Sequence, residues 1–268
     1  MAKFIFNNER ALYYQEVGDR KAPALLFISG LGQDHSYWLN IAERLKKHYH
    51  IILYDSYGTG RSTELQESCS ISSMADDINM IMNMLGIEKT HIVGHSMGGF
   101  IAQQFSINYP DKVDKLIIYS SGHKVDCRSV YQMKMHFNLI REGALSKETL
   151  IKLSMPWSYS VNFFNNKKQV KKRIQEKIDY LFPTAIQTLE KQLEACSEFN
   201  SLPFLREIQS ETLILCGKED FLLPVAQNQT MVRKIPGSKL KVVDDASHVL
   251  HLEQPEYFCD ILIEHCQY

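Results

Sequence analysis

Gly94-His95-Ser96-Met97-Gly98, continued by Gly99, is the stretch that decides how this chain folds. Ahead of it Thr90-His91-Ile92-Val93 is β-prone, and behind it Phe100-Ile101-Ala102-Gln103-Gln104-Phe105 reads as a helix. A serine flanked by glycines at that junction reads as a tight strand-to-helix turn, a nucleophile elbow. Side chains two residues away would collide there with the neighbouring strand and helix. The turn holds the Ser96 hydroxyl out of the packed sheet, and the helix beginning near Met97 aims unpaired N–H groups at developing negative charge. The string alone also fits a turn serine in a loop of small residues, so its flanks decide.

Outward from the elbow, buried strands alternate with helices. Ala24 to Ile28, Ile51 to Tyr54 and Val113 to Tyr119 are apolar enough for strands covered on both faces, and Thr212 to Gly217 and Leu240 to Val243 add two more. Helical spacing marks residues 36–48, through Trp38, Ile41, Ala42 and Leu45, and residues 73–85, which stop at Gly86. Residues 3–17 alternate and pause at Asn7-Asn8, which predicts an N-terminal hairpin. This rhythm implies an α/β fold with a mainly parallel, doubly wound sheet.

The alternation breaks between 123 and 208. Helix-like runs over 129–142, 146–153, 168–180 and 185–197, separated by Gly143, Pro156 and Pro183, contain no convincing strand. The expected organisation is a core of residues 1–122 and 209–268 with a helical cap, 123–208, inserted in it.

The 268 residues suffice for one large domain with an insertion, and 30 basic against 31 acidic residues argue against a nucleic-acid binder. Neither a signal-peptide pattern nor a membrane-length apolar stretch is evident, so a cytoplasmic location is expected. The six cysteines show no metal-like cadence and read as reduced and structural.

An activated serine needs a base, and the base needs a carboxylate that fixes its tautomer. Asp220 follows the strand ending at Gly217, and His248 follows the last strand, in the order serine, acid, histidine. Glu219 and Asp244 are the substitute candidates for the acid. His95 lies inside the elbow but reads as packing, and His35, His91 and His251 read as structural or surface residues.

With these residues the chain resembles the α/β-hydrolase superfamily over almost its full length. Ser29-Gly30-Leu31-Gly32 stands where the family has its oxyanion loop, and Asp55-Ser56-Tyr57-Gly58-Thr59-Gly60-Arg61-Ser62 resembles its Asp-x-x-Gly-x-Gly-x-Ser turn. Pro224 after Asp220 and Leu252-Glu253-Gln254-Pro255 after His248 also match. Ser29 departs from the pattern, since many relatives carry histidine there. The resemblance implies that Ser96 attacks a carbonyl, His248 moves the proton, Asp220 orients the imidazole and the amides of Leu31 and Met97 hold the oxyanion. It implies neither metal nor organic cofactor.

The expected activity is hydrolysis of a small carboxylic ester or lactone, and Trp157, Phe163, Phe164 and His123 are candidates for lining the substrate pocket, with packing as their other reading. Ile28 to Gly32 with Tyr37-Trp38, and Pro156 to Tyr159, resemble the branch of enol-lactonases and aminoacrylate hydrolases. The basic run Lys167 to Lys177 reads as a solvated helix face, or as a docking patch through Lys171, Lys172 and Arg173 for an acyl carrier protein, as in carrier-protein methyl ester esterases. A hydrolase-fold ligand receptor with slow turnover is the reading of a different class.

Overall fold

A computed structural model describes residues 3–7 and 10–267. Eight strands form one sheet: β1 (Lys3–Asn7), β2 (Arg10–Val17), β3 (Ala24–Ile28), β4 (His50–Tyr54), β5 (Thr90–His95), β6 (Val113–Tyr119), β7 (Glu211–Gly217) and β8 (Lys239–Val243). Their spatial order is β1-β2-β4-β3-β5-β6-β7-β8. Pairing is antiparallel from β1 to β2 and from β2 to β4, and parallel from β4 through to β8. The N-terminal hairpin is therefore present, while Asn8 at its expected pause lies outside the described residues, as do Met1 and Ala2.

The apolar runs of the central strands divide by the period of two. Leu25, Phe27, Leu53, Val93, Ile117 and Leu215 face one way, onto α1 (Leu39–Leu45) and the C-terminal helix α11 (Pro255–Cys266). Leu26, Ile28, Ile52, Ile92, Leu116 and Ile118 face the other, onto α2 (Ile71–Leu85) and α3 (Met97–Asn108). Burial on both faces is what a parallel sheet requires. β8 corrects the expectation of a buried last strand: it is the sheet edge, and Val242 is 39% exposed.

Local signals set most helix ends. Ser70 and Ser73 cap the start of α2 reciprocally, and Gly86, with φ 67°, ends it in the left-handed region. The helix expected over 36–48 is shorter, with a 3-10 turn at His35–Trp38 before α1, because Asp34 caps the turn. Five helices lie between β6 and β7: α4 (Cys127–Glu142), α5 (Lys147–Ser154), α6 (Val161–Asn165), α7 (Lys167–Asp179) and α8 (Ile186–Glu198). No strand occurs in that stretch among the described residues. α6 escaped sequence detection because five residues are too few to show a helical period. α9 (Val225–Val232) and α10 (Leu250–Glu253) complete the helices.

The topology places the site. From β3 the chain passes to β4 on one side, whereas β5 pairs with β3 on the other. The loops leaving the carboxyl ends of β3 and β5 thus flank the point where strand order reverses, the usual crevice of an open α/β sheet. No helix of the described residues is long and apolar enough to cross a membrane.

Candidate active site

Ser96 bridges β5 and α3 at φ 55° and ψ −118°, a region that non-glycine residues adopt at a cost of about 1–3 kcal/mol. Neighbouring strands enforce it. The Ser96 amide donates to the Tyr119 carbonyl at 3.0 Å, and its carbonyl accepts from Gly99 N at 2.9 Å and Ser121 Oγ at 2.8 Å. A Cβ at position 94 would strike Gly98 O, and one at 98 would strike Ile28 O, so both glycines are required as the motif spacing implies.

Asp220 and His248, on the loops after β7 and β8, meet. His248 Nδ1 lies 2.9 Å from Asp220 Oδ2, and both residues are buried. Asp220 Oδ1 accepts from the amides of Leu222 and Leu223, each at 3.0 Å, so the carboxylate is clamped on one oxygen and offers the other to the ring. Nδ1 then carries the proton and Nε2 is the basic nitrogen. The substitute acids are engaged elsewhere. Glu219 accepts from Val161 N at 2.8 Å, and Asp244 pairs with Lys218 at the surface.

The loop after β3 runs against the elbow: a Cβ on Gly30 would sit 3.2 Å from Ser96 Cβ. Among the described residues, neither the Leu31 nor the Met97 amide donates to a protein acceptor. Ser29, the departure from the family pattern, ties the loop by donating to Asp34 O at 3.1 Å. Two residues that sequence reasoning missed hold the same loop from the insertion. Gln192 Oε1 accepts from Gly32 N at 2.8 Å, and Thr184 Oγ1 donates to Gly32 O at 2.8 Å. With some 150 residues or more between partners, no local sequence pattern marks them.

Behind the ring pair is a buried polar brace. His95 Nε2 donates to the His248 carbonyl at 2.9 Å, and Tyr119 Oη donates to the same carbonyl at 3.3 Å while accepting from His251 N at 3.2 Å. Burial, reinforced by repulsion from a protonated His248, holds His95 well below the ordinary histidine value, and burial does the same to His251. Glu253 joins the histidine loop to the insertion. Its Oε1 accepts from Ser247 N at 3.1 Å, and its Oε2 accepts from the amide and the hydroxyl of Ser160.

Asp34, His35 and Asp55 form the one cluster of metal-ligating groups found among the described residues. Protein donors already occupy it: Asp55 Oδ1 meets His35 N and Nδ1, each at 2.7 Å, Asp55 Oδ2 accepts from Arg61 N, and Asp34 Oδ1 accepts from Ser36. It is a brace for the Asp-x-x-Gly-x-Gly-x-Ser turn. Burial pushes the thiols of Cys216 and Cys266 up to about 12, consistent with structural roles.

A cleft of about 670 Å³ opens between the β3 loop and the insertion, with Gly32, Tyr37 and Phe163 in its wall. Phe163 packs on Tyr159 with ring centroids 4.2 Å apart. Phe164, Trp157 and His123 are not in that wall: Phe164 is partly exposed, Trp157 half-buried, and His123 buried with its carbonyl bonded to Ser201 N. The expected docking patch needs correction too. Lys171 and Lys172 are exposed, but Arg173 turns inward, where its Nε donates to Tyr159 Oη at 2.8 Å, because helical spacing puts it on the face toward the cleft.

A family described as alpha/beta hydrolase fold matches residues 23–255. A protein of Agrobacterium fabrum provisionally named carbamate hydrolase RutD is 28% identical over 247 residues, 92% of this chain and 94% of that protein. The 3-oxoadipate enol-lactonase 1 of Acinetobacter baylyi is 27% identical over 252 residues, 94% and 91% of the two chains. Among solved structures, the enol-lactonase of Burkholderia xenovorans LB400 has a TM-score of 0.85 at 21% identity, covering 98% of this chain and 99% of that one.

Proposed function

The chain belongs to the α/β-hydrolase fold family, and from that premise we propose that it is a serine hydrolase that cleaves a carboxylic ester or lactone through an acyl-enzyme on Ser96. The observations that support this reading are the 2.9 Å bond from His248 Nδ1 to a doubly clamped Asp220 and a serine held at a strained elbow after β5.

His248 Nε2 takes the Ser96 proton as Oγ attacks the carbonyl carbon. The oxyanion forms between the Leu31 and Met97 amides, whose loss would typically cost about a hundredfold or more in rate. Collapse expels the alcohol, which takes the proton from His248. Water, deprotonated by the same ring, then releases the acid. Asp220 keeps the ring in the useful tautomer throughout. The relatives named for a lactone and a carbamate act, by their names, on acyl carbons bonded to a heteroatom, which fits this sequence of steps.

The test is a panel of short p-nitrophenyl esters and simple lactones with wild-type protein and Ser96→Ala, together with mass detection of an acyl adduct on Ser96. Turnover that disappears in Ser96→Ala supports the hydrolase. Stoichiometric ligand binding without turnover across the panel supports the receptor reading instead.

A further inference from the structure

The cleft beside the β3 loop has an unusual charge balance for a chain with almost equal numbers of acids and bases. Arg44, Lys147, Lys172, Arg173 and Lys177 stand in its wall against only two carboxylates, Asp34 and Glu176. Four of the five cations have partners: Arg44 pairs with Glu256, Lys147 donates to Ile178 O, Lys172 lies 3.7 Å from Glu176, and Arg173 divides its guanidinium between Tyr159 and Glu176. Lys177 does not. Among the described residues its ammonium has neither a hydrogen-bond acceptor nor an ion-pair partner, although burial and the nearby Arg173 push its pKa down to about 8.

A second orphan stands in the same wall. Tyr180 Oη is buried with no hydrogen-bond partner, a condition that costs about 1–3 kcal/mol unless something enters to accept from it. A half-buried ammonium and a phenol are two donors that lack acceptors, and the guanidinium of Arg173, already shared between Tyr159 and Glu176, adds positive charge to the same wall. That set suits a small oxyanion, which supplies acceptor oxygens and charge together. Two residues of the cleft wall adjoin the elbow side of the sheet: Gly32 follows Leu31, and the Tyr37 ring lies 5.4 Å from that of His95, the residue before Ser96.

We propose that Lys177, Arg173 and Tyr180 bind a carboxylate or phosphate group carried by the substrate at the end remote from the bond that Ser96 attacks, making the preferred substrate an anionic ester or lactone. The role of Ser96 in this statement rests on the proposed function; the anion seat does not.

The experiment compares 4-nitrophenyl hydrogen glutarate with its near-isosteric neutral counterpart, 4-nitrophenyl valerate. Wild-type protein is expected to favour the glutarate by about tenfold or more in kcat/KM, mainly through KM. That ratio falls toward one in Lys177→Gln and in Tyr180→Phe and is retained in Lys168→Gln, an exposed lysine on the same helix. A wild-type ratio near one, or a ratio that Lys177→Gln leaves unchanged, overturns the proposal. Calorimetric titration of wild-type protein and Lys177→Gln with glutarate and with inorganic phosphate separates the two readings. Binding that Lys177→Gln abolishes sustains the anion seat even if no ester is cleaved, and the tighter ligand distinguishes carboxylate from phosphate. Absence of binding by both overturns it even if esters are cleaved.

Discussion

His95 Nε2 donates to the backbone carbonyl of His248 at 2.9 Å, so the residue beside the elbow serine holds the loop that carries the base. From the sequence His95 reads as packing. Its ring is indeed buried, but the bond gives it a positioning role, because it couples the serine turn to the histidine turn across the sheet. His95→Phe keeps the aromatic volume and removes the bond. The expected result is a fall of about tenfold in kcat on a neutral ester with KM within twofold of wild type, as a displaced base weakens the transition state more than ground-state binding. Equal kcat in the two proteins would remove His95 from this role.

The buried histidines make the fold acid-sensitive. His91, His95, His123, His251 and His265, with the half-buried His136, are all held below the ordinary value, with desolvation as the largest cause in each. Their pKa in the unfolded chain is about 6.5. Between that value and the lowered folded values the unfolded chain binds more protons, so stability is full above about pH 6.5 and declines as pH falls. Each fully responding histidine contributes a slope of about 1.4 kcal/mol per pH unit. Urea midpoints are expected to level off above about pH 6.5 and to drop from there to about pH 5.5, and the drop should be shallower in His251→Phe. A flat midpoint over that interval contradicts the burial of these rings.

Gln192 is the strongest candidate for a role that no motif announces. Its Oε1 receives Gly32 N, one residue beyond the Leu31 amide, and the residue is fully buried. Gln192→Leu preserves volume and releases the β3 loop from α8. The expected consequence is a kcat loss of about tenfold or more with KM nearly unchanged, and the loss should be smaller in Gln192→Glu, which keeps the acceptor. A Leu variant that behaves like wild type would show that Gly32 holds its place without the tether.

Much of this arrangement is legible in the chain because short-range chemistry writes it. The elbow glycines, the Gly86 helix stop and the near-continuous apolar runs of β3 to β7, buried on both faces, each follow from a local constraint. Asp220 and His248 are legible by position, since each follows a strand of a sheet whose carboxyl edge gathers its loops. Contacts across the insertion are not. Gln192 with Gly32, Arg173 with Tyr159 and Lys177 in the cleft wall depend on how α7 and α8 rotate against the core, and helical period alone does not say which neighbour a face will meet. The basic run on α7 illustrates the consequence: one stretch of similar residues divides into exposed Lys171 and inward Arg173.

Glu253 gives the insertion a polar latch onto the histidine loop. Its carboxylate oxygens accept from Ser247 N on one side and from the Ser160 amide and hydroxyl on the other, while Ser160 Oγ also caps α6 by accepting from Phe163 N at 3.2 Å. Glu253→Gln replaces one acceptor by an NH2 group, which must then face a backbone N–H. The expected cost is about 1–3 kcal/mol, concentrated locally. Hydrogen exchange should quicken over residues 158–165, where the Ser160 cap weakens, and should change little in α2 on the far side of the elbow helix. Because Ser247 precedes His248, kcat should fall alongside. Unchanged exchange over 158–165 would mean that apolar packing of Met155, Tyr159 and Phe163 on Val249 suffices to seat the insertion without Glu253.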